Sequence, residues 1–243
     1  MSLASVSRQT ISVLTKELQV AFASPLVYVF WFVSSLLVGL FFYLGLVVSS
    51  EPNLRLLTVN LALSNVVLMP MLGMRMFAEE EKQGTLEMML TLPGSLWTFV
   101  VGKFLMGFLL STMIVFSSVL CSLILAWFGT PDWGAIVSAL IGQGLCLSFC
   151  LSVAIFASVL TKEPIASGLL GAVLLLPFWM VDSLGQTVDT VWVRQIFQDL
   201  SLMQHLIPLS KGILALSDVF WFVGGTGFFL WMTERVLEWK RCQ

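Results

Sequence analysis

Charge is what this chain has least of. Only 11% of its 243 residues are Asp, Glu, Lys or Arg, against 58% that are hydrophobic. That composition excludes an ordinary water-soluble globular domain. Basic residues are not in excess either. The net charge is −2 and the isoelectric point is about 5.4, which leaves no basic face for a nucleic acid. There is one histidine, His205; with no cysteine and only Asp199 close to it in sequence, it reads as a surface side chain rather than a metal ligand. The four cysteines form no framework. Cys121, Cys146 and Cys150 lie inside apolar runs and Cys242 is at the C-terminus. Cys146 and Cys150 share a helix face, but no histidine or carboxylate joins them, so they read as small packing residues. No cleavable leader is evident, because the first apolar run begins at Pro25, behind an amphipathic segment carrying Lys16 and Glu17, and is long enough to span. No nucleophile is paired with a base, as a membrane-embedded enzyme requires. No acids cluster inside the apolar runs, as an ion-coupled carrier requires.

What the chain does have is long apolar runs. Six spans are expected, at 25–48, 56–77, 97–128, 133–160, 164–182 and 219–237, since about 20 apolar residues cross the hydrocarbon of a bilayer. With the N-terminus inside, Arg8, Lys16, Arg75, Lys82, Lys103, Lys162, Arg235, Lys240 and Arg241 fall on the cytoplasmic side. Arg55, Arg194 and Lys211 fall outside. This bias places both termini in the cytoplasm. Trp97, Trp127, Trp133, Trp179 and Trp239 stand near the expected boundaries, where amphipathic rings sit among headgroups. The fold class expected is an all-α polytopic membrane protein: six transmembrane helices, an interfacial helix over residues 1–24, and a transmembrane domain over 25–243. In the first segment Ile11, Leu14, Leu18, Ala21 and Phe22 form a stripe opposite Arg8, Gln9, Ser12, Thr15, Lys16 and Gln19. That pattern suits a helix lying in the inner interface or one packed on protein. Between the fifth and sixth spans, Ile196, Phe197, Leu200, Met203, Leu206 and Ile207 recur at helical spacing among polar residues, as expected of short external helices.

One stretch stands apart. Ala78-Glu79-Glu80-Glu81-Lys82-Gln83-Gly84-Thr85-Leu86-Glu87-Met88-Met89-Leu90-Thr91-Leu92-Pro93 is a charged island between two apolar runs. Three adjacent acids are costly in lipid, so the island belongs in water. The second helix is expected to run on through Glu79–Lys82, to end at a left-handed Gly84, and to be followed by a new helix capped by Thr85. Glu87 suits the positive end of that helix, and Leu86, Met89 and Leu90 give it an apolar side that a groove on a partner would bury. A solvated charged turn is the alternative.

The block Glu79-Glu80-Glu81-Lys82-Gln83-Gly84-Thr85-Leu86-Glu87, followed by Leu90, Pro93 and Gly102-Lys103, resembles the signature of ABC-2 type exporter permeases. A second run, Leu200-Ser201-Leu202 with His205, Lys211-Gly212-Ile213-Leu214 and Asp218-Val219-Phe220-Trp221-Phe222, resembles the branch of the gliding-motility and nitrous-oxide-reductase-maturation permeases, and Ser24-Pro25-Leu26-Val27-Tyr28 fits that branch. The resemblance implies a bacterial inner-membrane permease that pairs with a second permease, identical or related, and with two ATP-binding cassette subunits. These would bind ATP and Mg²⁺, while this chain itself holds no cofactor and performs no catalysis. It further implies that Glu79, Glu80, Glu81, Gly84, Thr85, Leu86, Glu87, Met89 and Leu90 form the segment that couples to the ATPase, and that the external helices cap the pathway.

Gly102-Lys103 is not a phosphate-binding loop, because Phe104 replaces the required Ser or Thr and Trp97 stands where the leading Gly belongs. Lys103 is expected to reach to the inner headgroups. Asn65 and Gln143 are the deepest amides, expected either to bond between helices or to face a pathway. Glycine and other small residues cluster in the fourth and fifth spans and permit close helix approach. Two other functions fit the same spans. One is an ATP-independent carrier or channel. The other is an ABC-type complex that transmits conformational work to a periplasmic partner.

Overall fold

The structure, a computed structural model, describes residues 15, 18–49, 54–86, 95–128, 132–185 and 191–241. Helices are the only regular elements among them: α1 (Pro25–Ser49), α2 (Arg55–Gly73), α3 (Ala78–Lys82), α4 (Leu96–Phe128), α5 (Trp133–Leu160), α6 (Pro164–Gly185), α7 (Val191–Leu200), α8 (Leu202–Ser210) and α9 (Leu216–Arg241). Among the described residues, five stretches are long and apolar enough to cross a membrane, the second of them taking α2 together with α3. α9 has the length, but its uncharged run from Val219 to Thr233 is bracketed by Asp218 and Glu234. Most of the expected interfacial helix lies outside the described residues. Within it, 18–23 are helical, with Leu18 and Ala21 packed on the core.

α5 is the axis of the molecule. Cys146, Leu147 and Phe149 through Ile155 are buried, and a helical segment buried on all sides must be surrounded. α2, α4, α6, α8 and α9 all pack on it. Asp132 starts the helix by accepting from the backbone N–H groups of Gly134 (2.9 Å) and Ala135 (3.4 Å), two donors with no partner inside the helix. Small residues set the approach of α2: a Cβ placed on Gly73 would stand 2.6 Å from that of Ala154. Phe149 fills the contact with α6 and α9, its ring edge-on to Phe178, Phe222 and Phe229 at 5.3–6.3 Å, a favoured aromatic geometry.

α1 and α6 lie at the periphery. α1 leans on α2 and α4, pinned by the Trp31 indole N–H donating to the Leu110 carbonyl at 2.9 Å. The outer faces of both helices are apolar and open, with Phe32, Tyr43, Ile165 and Leu169 at 64–83% exposure. Such surface is unfavourable in water at about 25 cal/mol per Å², and lipid removes that penalty.

The two ends of the bundle differ in how they are held. At one end α8 folds back over α5: the Ser138 hydroxyl donates to the Leu209 carbonyl at 2.7 Å, and Gly212, with φ at +93°, passes against Ala135. His205 is half-buried there. Its Nδ1 lies 2.8 Å from an Asp218 carboxylate oxygen and its Nε2 lies 3.2 Å from the Asp199 carbonyl, while its ring stacks on Trp221. The surface side chain expected from the sequence is therefore a structural one. Its main partner, Asp218, sits in the first turn of α9. The opposite end carries the charged island.

Candidate functional site

The island is built around a break in the chain. α2 does not run on through Glu79–Lys82 as its composition predicts; residues 74–77 form a turn, and α3 begins afresh at Ala78. Side chains from other helices satisfy the backbone groups that a continuous helix would have paired. The Ser158 hydroxyl, on α5, accepts from the N–H groups of both Phe77 and Ala78 at 3.0 Å. That is the work of an N-cap, done here by a residue about 80 positions away. On the other side of the turn, the Met76 carbonyl accepts from the Lys103 ammonium at 2.7 Å.

The same ammonium lies 2.7 Å from a Glu80 carboxylate oxygen and 5.0 Å above the Phe77 ring. Lys103 is 1% exposed. It does not reach for headgroups. It turns inward because α3 supplies two fixed acceptors, and a buried ammonium needs such partners far more than an exposed one does.

Each charged residue of α3 is paired. Glu79 faces Arg75 at 3.8 Å, Glu80 faces Lys103, Glu81 faces Lys240 at the end of α9, and Lys82 faces Glu163 at 2.7 Å between α5 and α6. Exposure divides the four. The side chains of Lys82 and Glu163 keep 55% and 62% of their exposure, whereas those of Lys103 and Glu80 keep 2% and 20%. Lys240 and Glu81 keep 19% and 13%. Exposed pairs contribute about 0–1 kcal/mol, but breaking a buried one from one side costs about 3–5 kcal/mol. The root of the element is therefore fastened to α4, α5 and α9, and its outer edge is loosely held.

Beyond the root the chain turns outward. Gln83 N–H donates to the Glu79 carbonyl and Gly84 N–H to that of Glu81. Gly84 has φ of +70°, which lets glycine end a helix where an L side chain would be strained. Thr85 and Leu86 are helical again after the turn at 83–84, and the Thr85 hydroxyl donates back to the Glu80 carbonyl at 3.2 Å; the rest of the expected next helix lies outside the described residues. Lys82, Gln83, Gly84 and Thr85 are all exposed. Leu86, expected to face a partner's groove, is 5% exposed and part of the chain's own core; a leucine so close to the bundle loses more water by turning inward. Glu87, Met89 and Leu90 lie outside the described residues. Among the described residues no three His, Cys, Asp or Glu side chains are grouped to hold a metal ion.

The model of the ABC-2 family transporter proteins matches residues 23–178, from just before α1 to within α6. The chain belongs to this family. It is thus a multi-pass membrane protein and an ABC-2 type permease subunit, from a family of transport subunits that generally pair with an ATPase and are generally not themselves catalytic. No curated protein matches the chain. The match contains the whole charged island, so the break, the root and the exposed edge all lie within the ABC-2 region.

The two deep amides lie in the same region. Asn65 and Gln143 are both buried, and neither the Nδ2 and Oδ1 of Asn65 nor the Nε2 of Gln143 has a hydrogen-bond partner among the described residues. A buried polar group left so costs about 1–3 kcal/mol. Asn65→Leu is accordingly expected to raise the midpoint of thermal unfolding in detergent by several degrees. A lower midpoint would show that the amide is satisfied in the folded protein.

Proposed function

We propose that this permease is the membrane-spanning half of an ABC exporter, in which the element at residues 78–85 couples ATP hydrolysis on a separate subunit to movement of cargo. Two permeases pair, each engaged by one ATPase. The ATPases bind ATP and Mg²⁺; this chain contributes no catalytic group. Both termini and the charged end lie in the cytoplasm, α9 is the sixth span, and the membrane is a bacterial inner membrane. The positive-inside bias supports the orientation. The run from Leu200 to Phe222 supports a place beside the gliding-motility permeases.

One observation carries this reading: residues 82–85 are exposed while Glu80 and Glu81 behind them are tied to α4 and α9 and the backbone at 77–78 is tied to α5. A purely solvated turn would need no such fastening, since exposed pairs add little. An element pushed from outside needs a free edge and a stiff root, and 78–85 has both. The test is purification of the tagged chain from its native membranes in mild detergent, with the mass of the particle measured. The expected particle contains two permeases and two ATP-binding cassette subunits. A permease oligomer free of any ATPase would overturn the reading and bring an ATP-independent carrier to the front.

A second reading, conformational work passed to a periplasmic partner, draws support from Trp192 on α7, which is 79% exposed at the end away from the ATPase. Capture of an external protein through α7, with no cargo released, would favour it over export.

A further inference from the structure

The four ion pairs of α3 are not equivalent as mechanical links. Arg75–Glu79 joins neighbours one turn apart, and Lys82–Glu163 stands in water, where competing solvation and salt make it slack. Lys103 is different in kind. Its side chain comes from inside α4, is almost wholly buried, and places one ammonium on two acceptors, the Met76 carbonyl within the break and the Glu80 carboxylate on the helix after it. The Phe77 ring closes over it. An ammonium in that position cannot let go of Met76 and Glu80 without losing two charge-assisted hydrogen bonds away from water. Any displacement of α3 that preserves the pair must therefore carry α4 with it. Ser158 holds the N–H groups of the same break from α5, so the turn at 74–77 is tied to α5 through its N–H groups and to α4 through the Met76 carbonyl.

We propose that Lys103 is the positioning residue that transmits motion from the coupling element to α4, acting as a pin between the hinge at 74–77, Glu80 and the third span. The inference rests on the reading of 78–85 as the ATPase-coupled element, and it assigns the step after docking: the docked edge moves α3, and α3 moves α4 through Lys103.

The experiment uses the full complex with its ATPase in proteoliposomes, with the native cysteines replaced by alanine. Nitroxide labels are placed at Trp97→Cys on α4 and Ile165→Cys on α6, both exposed positions at the start of their helices. The distance between labels is measured by double electron–electron resonance, without nucleotide and with Mg·ATP and orthovanadate. In the parent chain the distance distribution is expected to shift on trapping. In Lys103→Met the ATPase should still co-purify and hydrolyse ATP, but the shift should fall to less than about half, because a van der Waals contact replaces the charged link. Lys103→Arg, which keeps a cation able to reach both acceptors, should restore it. A merely structural lysine would lower yield or stability without separating hydrolysis from movement.

Should Lys103→Met fail to fold, Glu80→Ala breaks the same link from the more exposed partner and should also lose the shift. A full shift in either folded variant overturns the assignment of Lys103 while leaving the ABC reading intact. A parent complex that binds no ATPase, or whose labels do not respond to nucleotide, overturns the ABC reading and this inference with it.

Discussion

Gly73→Leu is expected to lower the midpoint of thermal unfolding by roughly 6–12 °C. A Cβ at this position would lie 2.6 Å from the Ala154 Cβ and 3.1 and 3.3 Å from the Ala154 backbone carbon and oxygen. Backbone cannot swing aside, so α2 and α5 would have to separate along the most buried helix of the bundle. Overpacking of a well-filled contact costs about 1–3 kcal/mol and occasionally more, and a leucine against backbone stands at the upper end. At about 3 kcal/mol the ratio of folded to unfolded protein falls by roughly two orders of magnitude. Gly107 provides the control. Its Cβ would stand 2.2 Å from a Met76 methyl, the free end of a flexible side chain, so Gly107→Ala should shift stability far less. Thermal unfolding of the two variants in detergent checks the contrast. A Gly73→Leu protein as stable as Gly107→Ala would mean that α2 does not approach α5 as closely as described.

Gly84→Pro is the second large effect, and it should leave the fold intact. Proline fixes φ near −65°, whereas Gly84 stands at +70°. Nothing lies within 4 Å of a Cβ there, so the penalty is the backbone conformation together with the lost Gly84 N–H bond to the Glu81 carbonyl, both confined to the exposed edge. The chain at 83–85 must take another path, losing the tie from Thr85 to the Glu80 carbonyl. A local penalty of about 3 kcal/mol corresponds to roughly a hundredfold weaker ATPase binding, with insertion and thermal unfolding close to those of the parent. Gly84→Ala, at about 1–2 kcal/mol for a left-handed residue, should weaken binding by roughly tenfold. Titration of the purified ATPase against the permease in nanodiscs provides the measurement. An unchanged Kd for the proline variant would remove residues 82–85 from the interface.

Much of the architecture was legible because hydrocarbon imposes a length. The observed α1, α4, α5 and α6 begin within a residue of the expected spans, since Pro25, Trp133 and Pro164 are sharp boundary residues. Gly84 was legible for a local reason: a glycine after a charged helical turn is where a left-handed residue belongs. What could not be read was everything that depends on a second helix. The break at 74–77 was hidden because Met74 to Phe77 have no local reason to leave a helix. The reason is Ser158, far along the chain. A lysine near the end of an apolar run ordinarily reaches for headgroups, and nothing near Lys103 in sequence signals that Glu80 and Met76 wait beside it. His205 and Asp218 are a similar case, 13 residues apart and joined only when α8 folds onto α9. The most informative side chains of the island are thus those whose partners lie on other helices, and periodicity along one segment carries no record of them.

In the proposed complex the ATPase sits on the exposed edge at 82–85. A photo-crosslinking amino acid placed at Gln83 and, for comparison, at Trp192 on α7, with the complex irradiated in native membranes, tests that placement. The expected result is an adduct with the ATP-binding cassette subunit from Gln83 and none with it from Trp192. An ATPase adduct from Trp192, or none from Gln83 in a membrane that contains the assembled complex, would contradict it.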